Sequence, residues 1–208
     1  MTATLIQSPD RVLLENISWN TYKSLVQDFE QQPAIRLTYD QGRLEIRMPL
    51  DPHETYKKLL GRLVEALTEE LGVEIRSLGS RTCAREDLIQ GLEPDQCYYI
   101  QNEQAVWDKE QIDLEQDPPP DLAIEIDITS SSINRMEIYL NLGVPEIWRY
   151  DGQLLKMYAL KDGQYQPCSC SLAFPFLKGE EIERFLTLKK TTRENALISM
   201  FRQWVRKL

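Results

Sequence analysis

The sequence predicts an α/β fold, a mixed central β-sheet flanked by helices, and three features carry that reading. Leu122, Ile124, Ile126 and Ile128 alternate with Asp121, Ala123, Glu125 and Asp127, the period-two pattern of a strand with one aliphatic side. A helical stretch over 133–142 separates this run from a second strand-like run over 145–150. Strand, helix and strand make a βαβ unit, hence a parallel pair with a right-handed crossover. Turn signals at Asp40-Gln-Gly42, Asp151-Gly152 and Asp162-Gly163 sit between alternating runs, so antiparallel hairpins extend the sheet. The length of 208 residues suits a single domain over 1–208.

In chain order, Ser18 is an N-cap for a helix whose Trp19, Tyr22, Leu25, Val26 and Phe29 share one face, and Pro33 stops it. The runs 35–39 and 43–48 form a hairpin in which Leu44, Ile46 and Met48 face one way and Glu45 the other. Asp51-Pro-His-Glu54 combines an N-cap acceptor, a first-turn Pro and a Glu three residues on, a strong helix start. The helix then carries the stripe Tyr56, Leu59, Leu60, Leu63, Val64, Leu67 and Leu71 and ends near Gly72. His53 lies on the first turn of that stripe, where a hydrogen-bonded structural role and a site role both stand. Glu54 projects with Lys57 and Lys58 and reads first as a cap.

Further strand pieces flank Gly79 at 73–77 and 80–84, a loop covers 86–95, and 97–100 is a short strand. The polar stretch 101–120, with a helix-compatible part over 103–111, connects neighbouring strands. After the acidic strand, Thr129-Ser-Ser-Ser132 is an N-cap cluster for a helix from Ile133 to Leu142, ended by Gly143. At about 100° per residue, Arg135 falls between Tyr139 and Leu142. A cation there is partly covered and needs an anion, for which the carboxylates of the preceding strand are the nearest candidates. Helices over 180–186 and 192–207 close the chain.

The net charge of −9, from 24 basic and 33 acidic side chains, argues against indiscriminate coating of nucleic acid, which rests on phosphate neutralisation by Lys and Arg. It leaves open a nuclease whose acids gather around a metal. No apolar run is long enough to span a bilayer and the N-terminus lacks the pattern of a signal peptide, so a cytoplasmic location is the default expectation. Cys83, Cys97, Cys168 and Cys170 make no Cys-x-x-Cys pair and read as reduced thiols.

There is no Gly-x-Ser-x-Gly elbow, no Gly-rich phosphate loop and no dinucleotide fingerprint. With one histidine, a nucleophilic triad has little to build on. Carboxylate chemistry remains. Glu125 and Asp127 point the same way from one strand, about 7 Å apart at the backbone. Such a pair belongs either to a Mg2+-binding strand or to an edge strand with one wet face. Asp95, in the pair Pro94-Asp95, converges on them if its strand is a neighbour. Two strand-borne carboxylates sharing Mg2+ activate water and neutralise charge on a phosphodiester, and Arg135 is the cation at hand to orient water or phosphate.

Three blocks, Gly91-Leu-Glu-Pro-Asp-Gln-Cys-Tyr-Tyr-Ile100, Pro120-Asp-Leu-Ala-Ile-Glu-Ile-Asp-Ile-Thr-Ser-Ser-Ser132 and the run from Glu137 through Gly143-Val-Pro-Glu-Ile-Trp-Arg-Tyr-Asp151, resemble the Uma family of restriction endonucleases, formerly a domain of unknown function. The resemblance covers about 18–190, leaving 192–207 as a C-terminal helix. It implies the PD-(D/E)XK superfamily and a restriction-endonuclease-like core. It also implies a Mg2+-dependent endonuclease (Mn2+ as substitute) acting on DNA. On the family pattern Asp95 and Glu125 are metal ligands, with Asp127 as an auxiliary ligand, and His53 with Glu54 matches a His-Glu pair at the first core helix. The chain departs from the superfamily where Asp127 replaces the motif lysine. In relatives a lysine stands instead in the following helix, four residues before the tyrosine, and here that position is Arg135. Arginine keeps the charge but cannot serve as a base, so Arg135 reads as an electrostatic stabiliser. The rival readings are a catalytically weakened nuclease fold kept as a DNA- or protein-binding module and a metal-independent carboxylate hydrolase. A homodimer is expected, because cutting two strands is simplest with two sites related by a two-fold axis.

Overall fold

The computed structural model describes residues 5–8, 11–32, 34–48, 51–128 and 131–208. Its strands divide between two sheets, and the fold is α/β with helices against both. The first sheet collects β1 (Leu5–Ser8), β2 (Arg11–Leu14), β3 (Arg36–Asp40), β4 (Arg43–Arg47), β6 (Cys83–Arg85) and β7 (Gln90–Leu92), in the order β1-β2-β4-β3-β7-β6, all antiparallel. The second collects β5 (Arg76–Ser77), β8 (Gln96–Tyr99), β9 (Leu122–Ile126), β10 (Glu146–Tyr150), β11 (Leu155–Lys161) and β12 (Gln164–Cys168), in the order β12-β11-β10-β9-β8-β5. It is mixed: β9 and β10 run parallel, and the other neighbours are antiparallel. The chain passes from the first sheet to the second between Leu92 and Gln96. Pro94, which has no N–H to give to a ladder, sits at that break.

Helix α1 (Trp19–Asp28) is capped as its sequence predicts, Ser18 Oγ accepting from the Thr21 N–H at 3.1 Å. It packs Tyr22 onto Leu37, Tyr39 and Leu44 of the first sheet. Helix α2 (Asp51–Leu71), α4 (Gly179–Leu188) and α5 (Glu194–Val205) cover one face of the second sheet. There Leu60, Leu63, Leu67, Phe185 and Phe201 bury Leu122, Ile124, Ile126 and Trp148. The opposite face receives α3 (Arg135–Leu142), whose Ile138, Tyr139 and Leu142 meet Ala123 and Ile147 together with Cys83 and Leu92 of the first sheet. Helix α3 therefore lies between the two sheets, with one side turned to the acidic strand.

Several expectations change. The segment 86–95, read as a loop, contains β7, which pairs with both β3 and β6. Gln-Gly-Leu carries no strand pattern, and Gly91 is needed because a side chain there would collide with the Tyr22 hydroxyl. The helix-compatible stretch 103–111 shortens to one 3-10 turn, Glu103–Ala105. Helix α3 begins at Arg135 rather than Ile133, because Ser131 and Ser132 are bound to Glu45: Ser131 Oγ donates to Oε1 at 2.8 Å and the Ser132 N–H to Oε2 at 2.6 Å. Among the described residues the N-cap, Asn134, makes no side-chain capping bond. Pro33 and Thr129, read as a helix stop and part of an N-cap cluster, lie outside the described residues. The four cysteines are free thiols. No helix among the described residues is long and apolar enough to cross a membrane.

Candidate active site

The β8–β9 register pairs Gln96 with Ile124, so one step further sets Asp95 beside Glu125 as cross-strand neighbours. Asp95 is fully buried. Its Oδ2 accepts from the Ile126 N–H at 2.7 Å and lies 2.9 Å from His53 Nε2, and its Oδ1 accepts from Arg47 Nη2 at 3.4 Å. Burial penalises its charge, but the His53 hydrogen bond and the Arg47 guanidinium outweigh that and hold Asp95 at about 2, below its ordinary 3.8.

Glu125 is 2% exposed. Its Oε1 accepts from both Arg135 Nη2 and the Tyr139 hydroxyl, while Oε2 is buried with no hydrogen-bond partner among the described residues. Burial pushes its carboxyl up against the pull of Arg135, and the negative charge of Asp95 adds to the rise. Burial and the Glu125 charge hold the Tyr139 phenol well above its ordinary range, so Tyr139 keeps its proton and donates it. Arg135 points inward, as its helical position requires. Nη1 donates to Thr38 Oγ1 at 2.5 Å, Nη2 also to the Glu93 carbonyl at 2.9 Å, and Nε is buried without a partner among the described residues. One guanidinium thus ties α3 to β3, to β9 and to the residue that follows β7.

His53 is buried on the first turn of α2, its Nδ1 3.4 Å from Glu54 Oε1, and Glu54 in turn pairs with Lys57 at 3.5 Å. Asp127 stands just past β9, its Oδ2 accepting from Arg149 Nε at 2.5 Å. A cleft of about 590 Å3 opens beside Glu125, lined by Asp127, Arg135, Tyr139, Arg149 and Lys156. The structure therefore brings two buried groups side by side, Asp95 with His53 and Glu125 with Arg135, and leaves Asp127 at the cleft wall. Arg47, Thr38, Tyr139 and Arg149 belong to the same surroundings and were not singled out from sequence. The alternation of Arg43, Glu45 and Arg47 with Leu44 and Ile46 is visible in the sequence, but nothing in it marks Glu45 and Arg47 as buried.

Among the described residues, no three His, Cys, Asp or Glu side chains gather closely enough to hold a metal ion. A pair of carboxylates still fits Mg2+, which binds through one or two of them and keeps waters and substrate oxygens for the rest. The oxygens on offer are the unpartnered Glu125 Oε2 and Asp95 Oδ1, whose hydrogen bond from Arg47 is long.

The architecture is shared with a solved structure from Anabaena variabilis ATCC 29413, described as a "putative nuclease belonging to DUF820". It is 16% identical, and the match covers 77% of this chain and 98% of that one with a TM-score of 0.52. No curated protein matches the chain. The model of the Uma2 family, described as "Putative restriction endonuclease", matches residues 19–190, and the chain belongs to that family.

Proposed function

We propose that the protein is an endonuclease that hydrolyses DNA phosphodiester bonds with a Mg2+ ion, replaceable by Mn2+, held by Asp95 and Glu125. One observation carries this reading: a buried carboxylate oxygen, Glu125 Oε2, without a partner among the described residues, on an acidic pair that straddles two strands. Such an ion, when bound, lowers the pKa of its water and neutralises charge at the phosphate. The protein's own groups do the rest. His53 and the Ile126 N–H fix the orientation of Asp95 and keep it ionised. Tyr139 fixes Glu125 through Oε1 and leaves Oε2 without a hydrogen bond among the described residues. Arg135 stays charged and holds no transferable proton near neutral pH, so it acts as an electrostatic stabiliser beside the cleft rather than as a base. Asp127 has Oδ1 left for an auxiliary ligand role. A homodimer would set two such sites against the two strands.

Nicking of supercoiled plasmid by wild type beside Glu125→Ala, with and without Mn2+, tests the proposal. Cleavage by wild type that needs the metal and is lost in the variant is the expected result; equal nicking by both overturns it. A second reading, a nuclease fold kept as a binding module, is favoured by the contact of Arg135 with Glu125, which already neutralises the carboxylate. It requires DNA binding that needs no metal, with no nicking by wild type.

A further inference from the structure

The registers of the second sheet line up four charged residues across four adjacent strands. Asp95 stands beside Glu125, Glu125 pairs with Arg149, and Arg149 pairs with Lys156. Glu125, Arg149 and Lys156 lie on the α3 face, since Ile124, Trp148 and Met157, their alternating neighbours, are buried on the other side, while the Asp95 carboxylate reaches the Ile126 N–H and His53 of α2. The row reads two carboxylates and then two cations, at strand spacings of about 4.8 Å.

The two cations are presented outward in different ways. Arg149 gives its Nε to Asp127, and its Nη nitrogens make no hydrogen bond or ion pair to any described residue, while the side chain is 37% exposed. Asp127 thereby fixes the guanidinium and leaves its terminal fork turned to the cleft. Lys156 is exposed and has no carboxylate within ion-pair distance among the described residues. The nearby acid, Asp151, spends Oδ1 on the N–H groups of Gln153 and Leu154 at 2.9 and 2.8 Å. A fork followed by a mobile ammonium, next to a hydrolytic carboxylate pair, suits consecutive phosphates of one strand, which carry a charge about every 3.4 Å along the axis.

We infer that Arg149 and Lys156 hold the DNA backbone beside the scissile phosphate, laying one strand across β9, β10 and β11, with Asp127 as the positioning residue for Arg149. The inference rests on the nuclease reading for what happens next to the row, but its binding claim stands by itself. The test is fluorescence anisotropy of a labelled duplex oligonucleotide in metal-free buffer over a range of salt concentrations, with plasmid nicking in Mn2+ alongside. Arg149→Gln and Lys156→Gln should each weaken binding about fivefold to tenfold and lower the salt slope by about one. Lys161→Gln carries the same charge change on β11 but points to the other face, and it should bind as wild type does. Arg149→Lys should keep the salt slope and lose part of the affinity, because it retains the charge but not the fork.

Unchanged affinity and slope in Arg149→Gln and Lys156→Gln, or no binding of duplex by wild type, overturns the row. If these variants bind weakly while wild type fails to nick in Mn2+, the row holds and the nuclease reading falls. If wild type nicks and both variants bind and nick equally well, the nuclease reading holds and the row falls.

Discussion

Arg135, the first residue of α3, binds Glu125 of β9 through the same Nη2 that donates to the carbonyl of Glu93, while its Nη1 reaches Thr38. The guanidinium has two duties: neutralising a buried acid and fastening α3 between the sheets. Arg135→Lys separates them. Lysine keeps the charge but cannot span three acceptors, so stability should fall by about 1–3 kcal/mol. Cleavage should survive, because charge and position at the acid are retained. Chemical denaturation and plasmid nicking read the two effects, and a folded variant with no cleavage contradicts this division.

Asp95 makes stability depend on pH at the acid end. Its carboxyl is held at about 2 against an ordinary 3.8, so the ionised form is favoured in the folded state. Its contribution is therefore complete above about pH 4 and lost as pH falls through about 2, amounting to on the order of 2 kcal/mol. Glu125, pushed up by burial, contributes with the opposite sign: stability present below its ordinary 4.5 and lost as pH rises through its folded value. Urea denaturation of wild type and Asp95→Asn between pH 2 and 7 should give curves that converge toward the acid end. A constant gap contradicts the assignment.

Tyr139 offers a milder probe of the same network. Its hydroxyl stabilises the ionised form of Glu125, so Tyr139→Phe should raise the Glu125 pKa further and cost about 1 kcal/mol of stability. Because the proposed metal site needs Glu125 ionised, the acid limb of the pH–activity profile should move to higher pH. A profile that loses height without moving would make Tyr139 a packing residue only.

What the sequence could and could not foretell follows from the range of the contacts. Ser18 as a cap, His53 on the buried stripe of α2 and Arg135 turned inward are local, set by helical geometry within one turn or two. The neighbour relation of Asp95 and Glu125 was reachable through two strand-like runs joined by a polar connection. Arg47 against Asp95 and Thr38 against Arg135 depend on how the first sheet docks, across 48 and 97 residues of chain, and no periodicity carries that. The strand at Gln90–Leu92 was hidden for a different reason: three residues with a central glycine give no alternation to read. Asp127 was read with Glu125 because two residues apart on a strand share a face; its partner Arg149 lies 22 residues on.

His53 acts on the site through Asp95. Replacing it with alanine leaves Asp95 with Arg47 and the Ile126 N–H, so the carboxylate loses its largest stabilising bond and one constraint on its orientation. His53→Ala should cost about 1–3 kcal/mol and raise the Mn2+ concentration needed for half-maximal nicking. An unchanged metal requirement in a folded variant would confine His53 to a structural role.

The central claim is that Asp95 and Glu125 share one hard cation. Crystals of wild type soaked in Mn2+ and measured for anomalous scattering address it directly. A single peak is expected between the two carboxylates, with oxygen contacts of about 2.0–2.2 Å and waters completing the shell, and no peak in Glu125→Gln. Mn2+ bound elsewhere, with Arg135 still closed on Glu125 under conditions in which wild type cleaves DNA, would contradict it.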